Sequence, residues 1–205
     1  MSDTTKTDNH HLGAKLALRR KFLATFHAEQ PFSVVDCFSG GEALWTPLRS
    51  EFPVAEYLAL DVKEKRGRLK MDSLRYLQNQ KWTHDVIDLD AYGSPWRHWY
   101  EVLKRGQACT VFLTIGNTMF KKQQTEALAA AGLVFRTAGR IVFKIPAGLH
   151  GSVTDIVERH NLALACERFQ IPLAMEAKND GGTAKYIGVR LEILPPKPQD
   201  TAKAQ

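Results

Sequence analysis

Apolar, β-branched runs that stop at an acid recur along this chain, each followed by a segment of helical character, and that alternation restricts the fold most. "FSVVDCF" reads as a buried strand, "AEYLALD" as a second, a short segment around Leu69 to Met71 as a third, "HDVIDLD" as a fourth and "CTVFLTIG" as a fifth. Helical segments separate them: "EALWTPLRSEF" with Pro47 in an early turn, "SLRYLQNQ" with Ser73 as its cap, and a helix from about Pro95 to Arg105. "GAKLALRRKFLATFHAE" precedes the first strand and carries Leu16, Leu18, Phe22, Leu23 and Phe26 close to one helical stripe. Strand and helix alternating at this tempo predict an α/β fold, a mostly parallel sheet with helices on both faces.

The C-terminal part changes character. "GLVFRTAGRIVFKIPAG" is ambiguous, "SVTDIVERHNLALACERF" is helical, and "IPLAMEAKNDGGTAKYIGVRLEIL" reads as two strands joined by the turn-rich "NDGG", Asn179 to Gly182. At 205 residues and 44% hydrophobic the chain suits one well-filled core. The expectation is one domain over 12–194, between polar tails at 1–11 and 195–205. No apolar run approaches the roughly 20 residues of a membrane span, and "MSDTTKTDNHH" has no signal-peptide core behind it. A cytoplasmic protein without a membrane partner is expected. Cys37, Cys109 and Cys166 lack zinc or disulfide spacing and are expected as buried small residues, and His10 and His11 lack the context of a metal site.

The net charge of +6 and pI near 9.3 lean toward a polyanionic partner. The basic residues gather in "KLALRRKF" (Lys15 to Phe22), "KEKRGRLK" (Lys63 to Lys70), Lys121 with Lys122, and the tail. They read either as solvated faces or as a nucleic-acid footprint.

Chemistry concentrates at the strand ends. Asp36 closes the first strand and is followed by Gly40 and Gly41, which let a ligand approach the backbone or simply make a tight turn. Asp61 closes the second strand about 20 residues on, where nucleoside-binding βαβ units place a ribose-binding carboxylate. Asp72 follows the third segment and Asp90 ends the fourth, within "DVIDLDAYGSP" (Asp85 to Pro95). Four acids on one rim are costly unless something polar and partly cationic lies among them. S-adenosylmethionine, with an ammonium, a sulfonium, ribose hydroxyls and an adenine amine, meets that demand better than an anionic dinucleotide.

These residues resemble those of the class I S-adenosylmethionine-dependent methyltransferases over about Phe32 to Leu194. Within that family "DVIDLDAYGSP" looks most like the "D-x-D-P-[FY]-G-[ST]-P" signature of tRNA guanine-N2 dimethyltransferases. It is also similar to the "[DN]-P-P-[FY]" motif of enzymes that methylate amino groups on nucleic-acid bases. The resemblance implies a Rossmann-like fold, its seven-stranded sheet mostly parallel and closed by a C-terminal antiparallel hairpin. It further implies that Asp36, Gly40 and Gly41 lie along the methionine part of the cofactor, Asp61 on its ribose and Asp72 on its adenine. Asp90 would accept a hydrogen bond from the target amine, Tyr92 would stack on the base, and Gly93, Ser94 and Pro95 would complete the substrate loop. "FLTIGNT" (Phe112 to Thr118) is only loosely like the family's "T-x-T-D" segment. Ala91 stands in place of the family's proline, and Glu42 in place of a glycine. The expectation from this sequence is a chain without a counterpart of the family's C-terminal tRNA-contacting domain.

The expected function is methyl transfer from S-adenosylmethionine to an exocyclic amino group of a base in RNA or DNA. The rivals are a small-molecule or protein methyltransferase and a catalytically inactive module of the same fold. Trp96, His98, Trp99 and Tyr100 read either as helix-to-sheet packing or as a base-stacking wall, and His98 also as a proton acceptor.

Overall fold

A computed structural model describes residues 11–40, 43–62, 69–79, 81–91, 93–116, 125–137, 140–143, 153–178 and 184–195. The strands are β1 (Phe32–Asp36), β2 (Val54–Asp61), β3 (Leu69–Lys70), β4 (Val86–Leu89), β5 (Cys109–Gly116), β6 (Val134–Thr137), β7 (Arg140–Phe143), β8 (Phe169–Lys178) and β9 (Ala184–Ile193). The helices are α1 (Leu12–Phe26), α2 (Trp45–Glu51), α3 (Ser73–Gln78), α4 (Trp96–Arg105), α5 (Thr125–Ala130) and α6 (Val153–Ala163), the last running into a 3-10 turn at Leu164–Glu167.

Seven strands form one sheet in the order β3-β2-β1-β4-β5-β9-β8. The first five are parallel, β9 runs antiparallel to β5, and β8 pairs antiparallel with β9. β5, buried from Cys109 to Ile115, lies near the middle, where a strand is covered on both faces. The stretch that was ambiguous in sequence is a separate antiparallel hairpin, β6 with β7.

Side-chain alternation along the strands divides the core in two. Val34, Val86, Phe112 and Tyr186 face α1 and α2, packing on Leu18, Phe22, Leu23, Trp45 and Leu48. Val35, Ile87, Leu89, Val111 and Ile115 face the opposite layer, where Leu77, Trp96, Trp99, Leu128 and Val157 come from α3, α4, α5 and α6. Phe22 lies so close to the sheet that a Cβ at Gly188 would stand 2.5 Å from its ring.

Local signals fix the helix ends. Gly106 closes α4 in the left-handed conformation (φ 68°) behind Lys104 and Arg105, whose charge suits a helix C-terminus. The cap of α3 is Asp72 rather than Ser73: its carboxylate accepts from Leu74 N and Arg75 N. Cys37 and Cys109 are buried as expected, whereas Cys166 is exposed in the 3-10 turn. Among the described residues no helix is long and apolar enough to cross a membrane, and no group of histidines, cysteines and acids is placed to hold a metal.

Candidate active site

The chain leaves β1 toward β2 on one side and later returns to β4 on the other, so a crevice opens at the carboxyl ends of β1 and β4. Backbone hydrogen bonds shape its floor. Cys37 N donates to Asp88 O, and Ser39 donates to Leu60 O through both N and Oγ. That second contact ties the turn after β1 to the end of β2. Gly40 follows with φ 46°, a conformation that favours glycine. Gly41 and Glu42 lie outside the described residues.

Asp36 and Asp88 are register partners across β1 and β4, and Asp90 lies two residues further along the same face. The protein supplies its own cations to these acids. Arg19 of α1, 1% exposed, grips Asp88 with Nε to Oδ2 at 2.8 Å and Nη2 to Oδ1 at 2.6 Å, and Trp45 Nε1 donates to the same Oδ2 at 2.7 Å. One turn earlier Lys15 Nζ reaches both oxygens of Asp90, at 2.7 and 2.8 Å, while Thr114 Oγ1 donates to Oδ1. Asp36 accepts from Tyr57 Oη at 2.9 Å and from Phe38 N at 3.2 Å.

The two rim acids respond in opposite senses. Burial, and then the Asp88 carboxylate, push Asp36 well above the usual carboxylate range, against the pull of Tyr57 and Phe38 N. Burial would also raise Asp90, but Arg19, Lys15 and Thr114 outweigh it and hold Asp90 below its ordinary value. Three acids thus meet two cations in this cluster, and among the described residues Asp36 is the acid held by neutral donors alone. A ligand bearing positive charge fits that imbalance.

The remaining rim also fits a nucleoside. Asp61 ends β2 half-buried, and its carbonyl accepts from Met71 N at 3.1 Å. Val62, Leu69 and Met71 beside it are 65%, 45% and 37% exposed, apolar surface of the kind a flat ring covers. Asp72 stands exposed at the start of α3, with Oδ1 committed to the helix cap.

The segment after β4 is held at both ends. Ala91 is buried, and its N–H donates to Leu89 O. Tyr92 lies outside the described residues. Gly93, with φ 104°, accepts from Gly116 N at 2.7 Å, so the loop is tied to the last residue of β5. Ser94 is half-buried, and Pro95 is the N-cap residue of α4.

Beyond the loop, Trp96 and Trp99 are buried in the core, and Trp99 Nε1 donates to Asn161 O at 2.8 Å. Tyr100 Oη donates to Asn161 Oδ1. Packing is therefore the role of Trp96, Trp99 and Tyr100. His98 sits in a tilted contact with the Phe38 ring (4.8 Å between centroids), its Nε2 3.0 Å from Ser73 Oγ. Burial lowers its pKa to about 4, with Arg97 adding to the fall against the acids nearby.

Sequence reasoning missed Lys15, Arg19, Trp45, Asp88 and Thr114. A period of two puts Asp88 and Asp90 on one face, and Lys15 and Arg19 at i and i+4 share a helix face. Two members of the first basic cluster are thus neither solvated nor available to a partner. Lys63 to Arg68 and Lys121 with Lys122 lie outside the described residues.

No family model matches the sequence, and no curated protein matches it. Solved structures do. Trm1 from Pyrococcus horikoshii, in complex with S-adenosyl-L-methionine, superposes with a TM-score of 0.57 at 14% identity, covering 89% of this chain and 54% of that one. The chain therefore spans about half the length of that protein. A candidate rRNA methylase from Clostridium thermocellum gives 0.48 at 8% identity over 86% of this chain and 95% of that one. Magnesium protoporphyrin IX methyltransferase from Synechocystis, with bound SAH, gives 0.46 at 14% over 85% and 81%. Strand order, the antiparallel strand beside β5 and the superposition on Trm1 agree: this chain has the Rossmann-like fold of the class I methyltransferases.

Proposed function

We propose that the protein is an S-adenosylmethionine-dependent methyltransferase whose acceptor is an exocyclic amino group of a nucleic-acid base. The observation that carries this reading is the crevice at the β1/β4 ends, where a surplus acid (Asp36), a rim acid beside uncovered apolar side chains (Asp61 with Val62 and Met71) and a half-buried carboxylate (Asp90) converge.

In this reading Asp36 and the backbone at Gly40 and Gly41 hold the methionine part, Asp61 accepts from the ribose hydroxyls, and Asp72 accepts from the adenine amine. The cofactor, when bound, supplies an electrophilic methyl group on a sulfonium. Asp90 faces the acceptor, takes a hydrogen bond from its N–H and raises electron density on nitrogen, which a weakly nucleophilic aromatic amine needs. Tyr92 stacks on the base, and Gly93, Ser94 and Pro95 shape the loop that admits it. The net charge of +6 supports a polyanionic substrate, as does the fold shared with Trm1.

The test is calorimetric titration with S-adenosylmethionine, followed by transfer of a labelled methyl group to RNA, DNA and protein. Wild type binds the cofactor, and Asp61→Ala weakens binding at least tenfold, about 1.4 kcal/mol. Label enters nucleic acid, and Asp90→Asn lowers the rate by about 10² while cofactor affinity holds. No binding by wild type sinks the cofactor. Binding with label in protein, or in none of the three, sinks the nucleic-acid substrate.

A further inference from the structure

Asp90 is not a bare carboxylate. Its Oδ1 accepts two hydrogen bonds, from Lys15 Nζ and Thr114 Oγ1, and its Oδ2 accepts one, from Lys15 Nζ. Each carboxylate oxygen carries two lone pairs, so among the described residues Oδ1 is saturated and one acceptor position remains, on Oδ2. The clamp is itself rigid. Lys15 and Asp90 are 13% and 15% exposed, and the ammonium also lies 5.3 Å over the Tyr186 ring of β9. One turn along α1, Arg19 is locked on Asp88, which fixes the helix that carries Lys15.

We propose that Lys15 is the positioning residue of the acceptor site, holding Asp90 ionised with a single free acceptor position on Oδ2 that selects an N–H donor over a carbonyl oxygen. The inference rests on the amine-methylating reading above and adds the device that enforces it. A neutral carboxylic acid would present an O–H as well as an acceptor and would bind either kind of group, so discrimination depends on ionisation. Burial opposes the charged form of Asp90, and Arg19 and Lys15 from α1, with the Thr114 hydroxyl from β5, outweigh it; Asp36 from β1 and Asp88 from β4 are the other carboxylates of the cluster. Tyr186 from β9 contributes a ring face beneath the ammonium. Without Lys15 the balance tips toward burial and the neutral form.

The experiment follows the Asp90 carboxyl by carbon NMR in protein labelled with carbon-13 aspartate, assigned with Asp90→Asn, in wild type, Lys15→Met and Lys15→Arg. Asp90 in Lys15→Met titrates about one pH unit or more above wild type, and Lys15→Arg returns it toward the wild-type position. The acid limb of the kcat/KM profile moves with it, while cofactor affinity stays unchanged. Thr114→Val, which removes one donor and no charge, moves the titration the same way by less, and carries the test if Lys15→Met does not fold. An unmoved Asp90 titration in folded variants overturns the proposal. So does turnover that rises in Lys15→Met at every pH, because Lys15 would then be a plug rather than a positioning group. The titration needs neither cofactor nor substrate, so it is read separately from any failure of methyl transfer.

Discussion

The two faces of strands β1, β4 and β5 carry different chemistry in alternate residues of the same segments. In β4, Ile87 and Leu89 turn toward α4 and are buried against tryptophans and aliphatic side chains, while Asp88 and the following Asp90 turn toward α1 and meet Arg19 and Lys15. The first face is held by burial, and its polar contacts, such as Trp99 to Asn161, serve packing. The second face carries three acids and two cations in the protein interior, where an ion pair offers little net stability against a well-packed apolar pair but is expensive to break. The difference teaches that stability alone accounts for the apolar face and not for the charged one.

The largest effect that breaks the comparison comes from Arg19→Met. Among the described residues it leaves Asp88 buried beside Asp36 with the Trp45 indole as its remaining side-chain donor, and about 3–5 kcal/mol of stability is lost in denaturant unfolding. Adding Asp88→Leu recovers most of that loss if the pair is retained for the site and not for the fold. The neighbouring Arg20, exposed and paired with Glu51, is the control, and Arg20→Ala leaves the midpoint where it was.

Gly188→Ala tests how tightly α1 is seated. The added methyl meets the Phe22 ring, which is fully buried and has nowhere to go, and about 1–3 kcal/mol is lost. Because Lys15 and Arg19 ride on the same helix, the variant also shifts the Asp90 titration, whereas an equally destabilising cut on the opposite face leaves it in place.

A smaller and graded effect comes from pH, and it involves both faces. His27 at the end of α1, with Nε2 2.9 Å from Thr110 Oγ1, is lowered to about 4 by burial and then by Arg190. His98 on the other face is also lowered to about 4. Both remain neutral in the folded chain while the unfolded chain takes up protons below about 6.5. Their contribution is therefore complete above pH 6.5 and drains away as the pH falls toward 4. Thermal unfolding across that range shows a falling Tm, and His27→Gln and His98→Gln each flatten the slope.

Much of the architecture was legible because periodicity reports burial. "CTVFLTIG", apolar but for its two threonines, became β5 near the middle of the sheet, and "HDVIDLD" became β4. The β6–β7 hairpin was not legible, since "GLVFRTAGRIVF" fits more than one period over its short length. Acids at strand ends could be read as a rim, and Asp36, Asp61 and Asp90 stand at the carboxyl ends of β1, β2 and β4. Their partners could not, because lysine and arginine on a helix ordinarily mean a solvated face. Only the fold shows that Lys15 and Arg19 point into the sheet. Asp72 and Ser73 are both good caps, and composition alone does not choose between adjacent ones.

The seat of Phe22 on Gly188 carries a consequence in time. Synthesis runs from α1 toward β9, so the helix that bears Lys15 and Arg19 is made long before the strand it docks on. During that interval Asp36, Asp88 and Asp90 are translated, while the helix that bears Lys15 and Arg19 lacks the seat that β9 gives it. Pairings this distant in sequence are slow to close. Full seating of α1 therefore waits for β9, and a nascent chain halted before residue 188 lacks the strand on which Phe22 rests.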